Sequence, residues 1–210
     1  MHELIASHNS GEKPAQQLKL EYINGFRSKV KAPAPSRKVF ENYFTDGLNY
    51  FNSLSPSGNE KLMIEIKAEF KIDSIPFVGY IDLVERDNSG DILLIDNKSK
   101  ALKPRSTGNK ARKSDEELDE YLRQLYLYSY YIFAQYGRFP DKLCFNCFRK
   151  DLFIEEPFDK TAYERAIGWF LNKIEEIAVE TEFNPDIDFF RCRYLCEMQD
   201  HCEYFKLNWG

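Results

Sequence analysis

The stretch that most restricts what this chain can become is residues 93–100, LLIDNKSK. Ile92–Ile95 make an uninterrupted apolar run, suited to a central strand covered on both faces. The run ends in Asp96 and Lys98, and residues i and i+2 of a strand share a face, so an acid and an amine emerge side by side. Just upstream, GYIDLVE belongs to a strand expected over 76–86, and the Ser-Gly pair at 89–90 makes a hairpin turn between the two strands. The hairpin brings a second acid, Asp82, three residues after Gly79, near the first. Neighbouring carboxylates repel, and a divalent cation between them makes their joint ionisation tolerable. Magnesium takes oxygen ligands, which Asp82, Asp96 and the backbone carbonyl of Asn97 can supply, and Lys98 would hold a phosphate or a polarised water. Taken alone, an Asp-x-Lys tripeptide is ordinarily an exposed ion pair.

The rest of the chain tells what surrounds this hairpin. Residues 1–30 are helical in part, 31–38 form a turn or linker, and SRKVFENYFTDGLNYFNSL makes an amphipathic helix ending near Leu54. In LMIEIKAEFKI, Ile64, Ile66, Ala68 and Phe70 alternate with Glu65, Lys67, Glu69 and Lys71, the period of a half-buried strand. A strong helix is expected over 115–136, with Ser114 as its N-cap and Glu117 three residues on. Leu118, Leu122, Leu125, Ser129 and Ile132 make one stripe of that helix, and Tyr121, Gln124, Tyr128 and Tyr131 a second beside it. Two strands follow, in KLCFNCFRK and LFIEE. The last long helix is expected to start at a capping box of Thr161 and Glu164 and to bury Tyr163, Ile167, Phe170, Ile174 and Ile177. This order predicts an α/β domain with a mixed central sheet flanked by helices.

With 210 residues, 43% of them hydrophobic, the chain can bury a sizeable core, and one domain is expected over 1–210. No run of about 18 apolar residues exists, so no membrane span is expected, and the opening MHELIASHNS lacks the pattern of a secretory signal. The five cysteines do not read as a disulfide framework and suit a reducing cytoplasm. A net charge of −5 argues against coating nucleic acid through bulk charge. The charge is nonetheless uneven, since residues 98–113 carry seven Lys or Arg and no acid. A solvated loop is the ordinary meaning of such a run.

Gly79-x-x-Asp82, Asp96-x-Lys98 and Gln124-x-x-x-Tyr128, in this order and spacing, resemble the RecB-type branch of the PD-(D/E)xK nucleases. That branch includes the nuclease domains of RecB and AddB, CRISPR-associated exonucleases and phage relatives. The resemblance implies a restriction-endonuclease-like core, here residues 62–150, in a cytoplasmic protein of bacterial, archaeal or phage origin. It implies a Mg²⁺- or Mn²⁺-dependent deoxyribonuclease, an exonuclease on DNA ends or single strands, with a helicase, recombination or CRISPR-adaptation partner. A catalytically inactive DNA-binding or assembly subunit and a site-specific endonuclease are the other readings. Asp82 and Asp96 would be metal ligands and Lys98 the catalytic lysine. Gln124 and Tyr128 would hold the strand or orient that lysine; on the motif alone they are a surface Gln beside a half-buried Tyr. His2, in MHEL, resembles the second half of the family's histidine motif and is expected to reach the metal. Glu69 is a candidate supporting acid.

Near the end, FRCRYLCEMQDHCEYF holds Cys192, Cys196 and Cys202, a spacing that suits zinc or an iron–sulfur cluster. Many RecB-type relatives carry a [4Fe–4S] cluster on four cysteines, so a cysteine-bearing appendage is expected over 185–206. The late spacing here is one residue longer than usual, and the family's upstream cysteine and the start of its histidine motif are both missing. Further sequence before Met1 would explain both, and without it His201 could join the three cysteines around zinc. Cys144 and Cys147 face opposite sides of a strand and are expected to be buried structural residues. The basic run, lying between Lys98 and the Gln–Tyr helix, would place Lys100, Lys103, Arg105, Lys110, Arg112 and Lys113 against DNA phosphates. Its Pro, Gly and Ser content predicts mobility without ligand.

Overall fold

The computed structural model describes residues 1–30, 34–108, 110–182 and 184–209, so part of the linker expected over 31–38 lies outside it. Three helices, α1 (His2–Asn9), α2 (Ala15–Lys29) and α3 (Arg37–Ser53), precede β1 (Glu60–Ile72), β2 (Ile75–Arg86) and β3 (Ile92–Asn97). Helix α4 (Lys113–Tyr136) leads to β4 (Lys142–Cys147) and β5 (Leu152–Pro157), then to α5 (Lys160–Val179). Short helices α6 (Phe189–Tyr194) and α7 (Glu203–Trp209) close the chain.

The strands form one sheet in the order β1-β2-β3-β4-β5. Only β3 and β4 run parallel, because α4 carries the chain back across the sheet between them. The other neighbours are antiparallel. The β1–β2 turn has two residues, Asp73 and Ser74, at φ 46° and 70°, the paired positive φ whose twist matches that of a two-stranded ribbon. At the β2–β3 turn Gly90 takes φ 91°.

Helix α4 supplies the main core. Leu118, Leu122, Leu125, Ser129 and Ile132 are each at most 2% exposed and pack with Val84, Leu94, Leu143 and Phe145 of the sheet. Full burial of one such aliphatic side chain contributes about 1.5–3 kcal/mol. The N-terminal helices form a second, aromatic cluster of Tyr22, Phe26, Tyr50 and Phe51, joined by Phe148, while Leu83, Leu93, Ile95 and Cys144 cluster on the other face of the sheet. Cys144 and Cys147 are both wholly buried, on opposite faces of β4.

The helix starts differ from expectation. Neither Ser114 nor Glu117 caps α4; Asp115 does, accepting from the Arg112 N–H at 2.8 Å. The same carboxylate accepts from the Ser106 N–H at 2.8 Å and hydroxyl at 2.5 Å, so it ties the basic loop to the helix start. Together with the buried Leu102, this anchors a loop whose composition predicts mobility. Helix α5 is capped by Asp159, which accepts from the Ala162 N–H at 2.8 Å, in place of Thr161; an ionised carboxylate gains from the helix dipole as well as the hydrogen bond. Its expected buried stripe holds only in the first half. Ala162, Tyr163 and Ala166 pack on the core, while Ile177 is 59% exposed because the final turns extend beyond that contact.

Hydrogen bonds from Ser106 and from the Arg112 backbone hold the Asp115 carboxyl down at about 2. Its contribution is therefore present above the ordinary carboxylate value of 3.8 and is lost as pH falls toward 2. Asp115→Ala is expected to lower the thermal midpoint at neutral pH, and its deficit against the parent protein should shrink across that acid window. Thermal unfolding followed by circular dichroism at stepped pH checks this; a deficit independent of pH would contradict it.

Candidate active site

The β2–β3 hairpin sets the site. Leu83 pairs with Ile95 in the antiparallel register, so Asp82 of β2 comes opposite Asp96 near the end of β3. Asp82 accepts a hydrogen bond from the Asn97 backbone N–H at 2.7 Å, joining the acid of one strand to the backbone between Asp96 and Lys98. His2, Gly79, Asp82, Asp96, Asn97, Lys98, Tyr121, Gln124 and Tyr128 all line one cleft of about 490 Å³.

A plain strand would not deliver Gly79 and Asp82 to the same cleft, since residues three apart face opposite sides. The strands change phase here. Ile81 and Val84 both enter the core beneath α4, whereas Leu83 between them packs on the opposite face with Ile95 and Cys144. On β1, Ala68 joins the α4 side and Ile64 the other, although four residues should restore the same face. Between them Glu65 takes φ 49°, a left-handed value that breaks the pleat of β1 opposite Asp82.

Helix α4 supplies the facing wall. Lys98 Nζ lies 2.9 Å from Asp96 Oδ2 and donates to Gln124 Oε1 at 3.2 Å. Gln124 Nε2 donates in turn to the Tyr128 hydroxyl at 3.1 Å. The Tyr128 ring lies directly on Gly79, where any Cβ would overlap it. The Tyr121 ring stands 5.2 Å from Lys98 Nζ and 5.3 Å from Lys100 Nζ.

Helix α1 brings the histidine. Ile5, 2% exposed, fixes the helix in the aromatic cluster, and the His2 ring meets Phe148 edge-on at 6.0 Å. His2 Nδ1 then lies 3.4 Å from Asp82 Oδ2, and this contact holds the imidazole above its ordinary pKa against the opposing effect of burial. Behind the cleft, Asn146 Nδ2 donates to Asn97 Oδ1 and to the Tyr50 hydroxyl, each at 2.8 Å. The Asn146 carbonyl accepts from the Lys98 N–H at 2.9 Å. This polar set fixes the backbone that carries Asp96 and Lys98.

The donors suit a hard divalent cation. Asp96 is 7% exposed, and burial pushes its carboxyl above the usual range despite the lysine. Its Oδ2 lies 2.9 Å from the Lys98 ammonium but outside hydrogen-bond geometry, so this buried oxygen keeps lone-pair capacity for a second cation. One nitrogen and two oxygens from His2, Glu65 and Asp82 also come within 4.8 Å of one another. Glu65 is the residue that the strand pattern concealed, for it sits on the polar side of the alternation with Lys67, Glu69 and Lys71. Counting back from the Asp73–Ser74 turn finds it, because Ile64 pairs with Leu83 and Ile66 with Ile81. Glu69, read from the sequence as either a supporting acid or a solvent-facing strand residue, is exposed and pairs with Lys67.

The basic run divides. Lys100 lines the cleft and pairs with Glu117. Arg105 does not line the cleft and pairs with Asp119 at 2.7 Å and Glu156 at 2.8 Å. Lys103, Lys110, Arg112 and Lys113 are exposed and, among the described residues, have no carboxylate partner. Cys192 lies in α6, Cys196 follows it, and Cys202 follows a 3₁₀ turn at Gln199–His201; among the described residues, no three of Cys192, Cys196, His201 and Cys202 bring ligand atoms within the 4.8 Å that one ion would need.

The chain matches the PD-(D/E)XK nuclease superfamily over residues 2–203, and it belongs to that superfamily. No curated protein matches it. Among the described residues, no helix is long and apolar enough to cross a membrane.

The contact between Gly79 and Tyr128 gives a direct test of how the wall is built. Gly79→Ala should lower the thermal midpoint by pushing the Tyr128 ring out, and Tyr128→Ala in the same chain should recover part of the loss. A double-mutant cycle is expected to show coupling above about 0.5 kcal/mol, whereas additive losses would mean that the ring does not need the glycine.

Proposed function

We propose that this protein is a metal-dependent deoxyribonuclease of the RecB-type branch, an exonuclease acting on DNA ends or single strands. The observation that carries the reading is the meeting of Asp82, Asp96 and Lys98 at one cleft, with Lys98 hydrogen-bonded to Gln124 of the facing helix. Asp82, Asp96, His2 and the Asn97 carbonyl would hold magnesium or manganese. Such an ion supplies a Lewis acid for the phosphodiester and a water that loses its proton near neutral pH.

The chain's own groups do the rest. Asp96 draws the Lys98 ammonium toward the carboxylates, and Gln124 fixes it from the other side. The amine so placed binds a phosphate oxygen or the attacking water, giving positive charge where the transition state builds negative charge. Tyr128 holds the Gln124 carboxamide with its oxygen toward Lys98. Tyr121 offers a face for a base or sugar beside the scissile phosphate, and Lys103, Lys110, Arg112 and Lys113 supply backbone charge outside the cleft. DNA processing alongside a helicase or recombination partner fits an enzyme that starts at ends.

Asp96→Ala and Lys98→Ala should each abolish Mg²⁺- or Mn²⁺-dependent degradation of end-labelled linear DNA with the circular dichroism spectrum unchanged. Single- and double-stranded linear substrates measured against closed circles separate exonuclease from endonuclease action. Undiminished digestion by either folded variant would remove the assignment.

A further inference from the structure

On the far side of Asp82 from Asp96 stands Glu65, on β1. We propose that Glu65 is a metal ligand, giving a carboxylate oxygen alongside His2 Nδ1 and an Asp82 oxygen to a divalent cation; this rests on the metal-dependent reading above and adds a residue to it. The three donor atoms lie within 4.8 Å of one another. Donors around a single ion of manganese or magnesium size lie at most about 4.4 Å apart, so a small side-chain adjustment closes the set.

The surroundings of Glu65 differ from those of every other glutamate on this hairpin. Glu60 pairs with Arg86 at 2.7 Å, Glu85 with Lys61 at 2.6 Å, and Glu69 with Lys67. Among the described residues Glu65 has no lysine or arginine partner, and the group opposite it is a second carboxylate. Lys98, the nearest amine on β3, is taken by Asp96 and Gln124. A separate observation points the same way. The Asp96 side chain, nine-tenths buried on the cleft wall that His2 and Asp82 also line, has Oδ2 2.9 Å from the Lys98 ammonium but outside hydrogen-bond geometry, so that oxygen keeps lone-pair capacity for a second cation. Glu65 thus flanks Asp82 without a basic partner on the side away from Asp96, and His2 adds a nitrogen donor. Two carboxylate oxygens and an imidazole nitrogen favour manganese over magnesium, since nitrogen ligation suits the transition metal better.

Calorimetric titration of the intact chain with Mn²⁺, with the Mn²⁺-induced rise in thermal midpoint as a second readout, tests this without any turnover. Glu65→Gln should weaken Mn²⁺ binding at least about tenfold and shrink the thermal shift. Glu65→Gly should do the same while relieving the left-handed φ of 49°, so backbone strain cannot account for the result. Parent-like affinity in both variants, with Asp96→Asn weakened, would overturn the role of Glu65 and leave the wider metal site standing. Failure of the parent protein itself to bind Mn²⁺ would overturn both.

Discussion

A carboxylate removed from water governs the architecture of this protein. Asp96 sits at the end of a strand whose apolar residues are covered on both faces, and burial makes its charge expensive. The chain answers with a compact cation two residues later, on the same side of the strand, and then with a glutamine that fixes that cation from a helix. Asp82 adds a second negative charge from the neighbouring strand, with His2 as its nearest basic group. The proposed divalent cation removes what repulsion remains. Coulombic interaction in such partly dry surroundings is several times stronger than in bulk water, which is why the pairing geometry matters more here than on the surface.

The sheet is deformed to build this arrangement. A regular pleat would send Gly79 and Asp82 to opposite faces, yet the acid must enter the cleft and the glycine must lie beneath Tyr128. The phase change at Glu65 and Ile81–Val84 meets both demands without a shift in the β1–β2 register between Met63 and Ile72. Gly79 then has a steric purpose, because the ring that orients Gln124 occupies the volume of its missing side chain.

The parts farther from the cleft hold it still. Asn146 grips Asn97 and Lys98 from the back and reaches Tyr50 of the N-terminal helices. Asp115 joins the start of α4 to the basic loop through Ser106. Arg105 serves the same fastening through Asp119 and Glu156, so part of the positive run is structural and the remainder is open to solvent. The superfamily match extends through the C-terminal cysteines to residue 203.

By itself the sequence determined the strands and long helices, the Leu stripe of α4, the hairpin that pairs Asp82 with Asp96, and the adjacency of Lys98. These are short-range matters, fixed by periods of 2.0 and 3.6 and by turn chemistry within a few residues. It did not determine the caps of α4 and α5, where Asp115 and Asp159 outcompete nearby hydroxyls, or the fate of Ile177, which depends on how far a neighbouring helix extends. Only the tertiary structure decided that Glu65 joins His2 and Asp82 and that Arg105 turns to Asp119. Each of these depends on where side chains from distant segments meet in space, and a local pattern carries no information about a break in its own pleat.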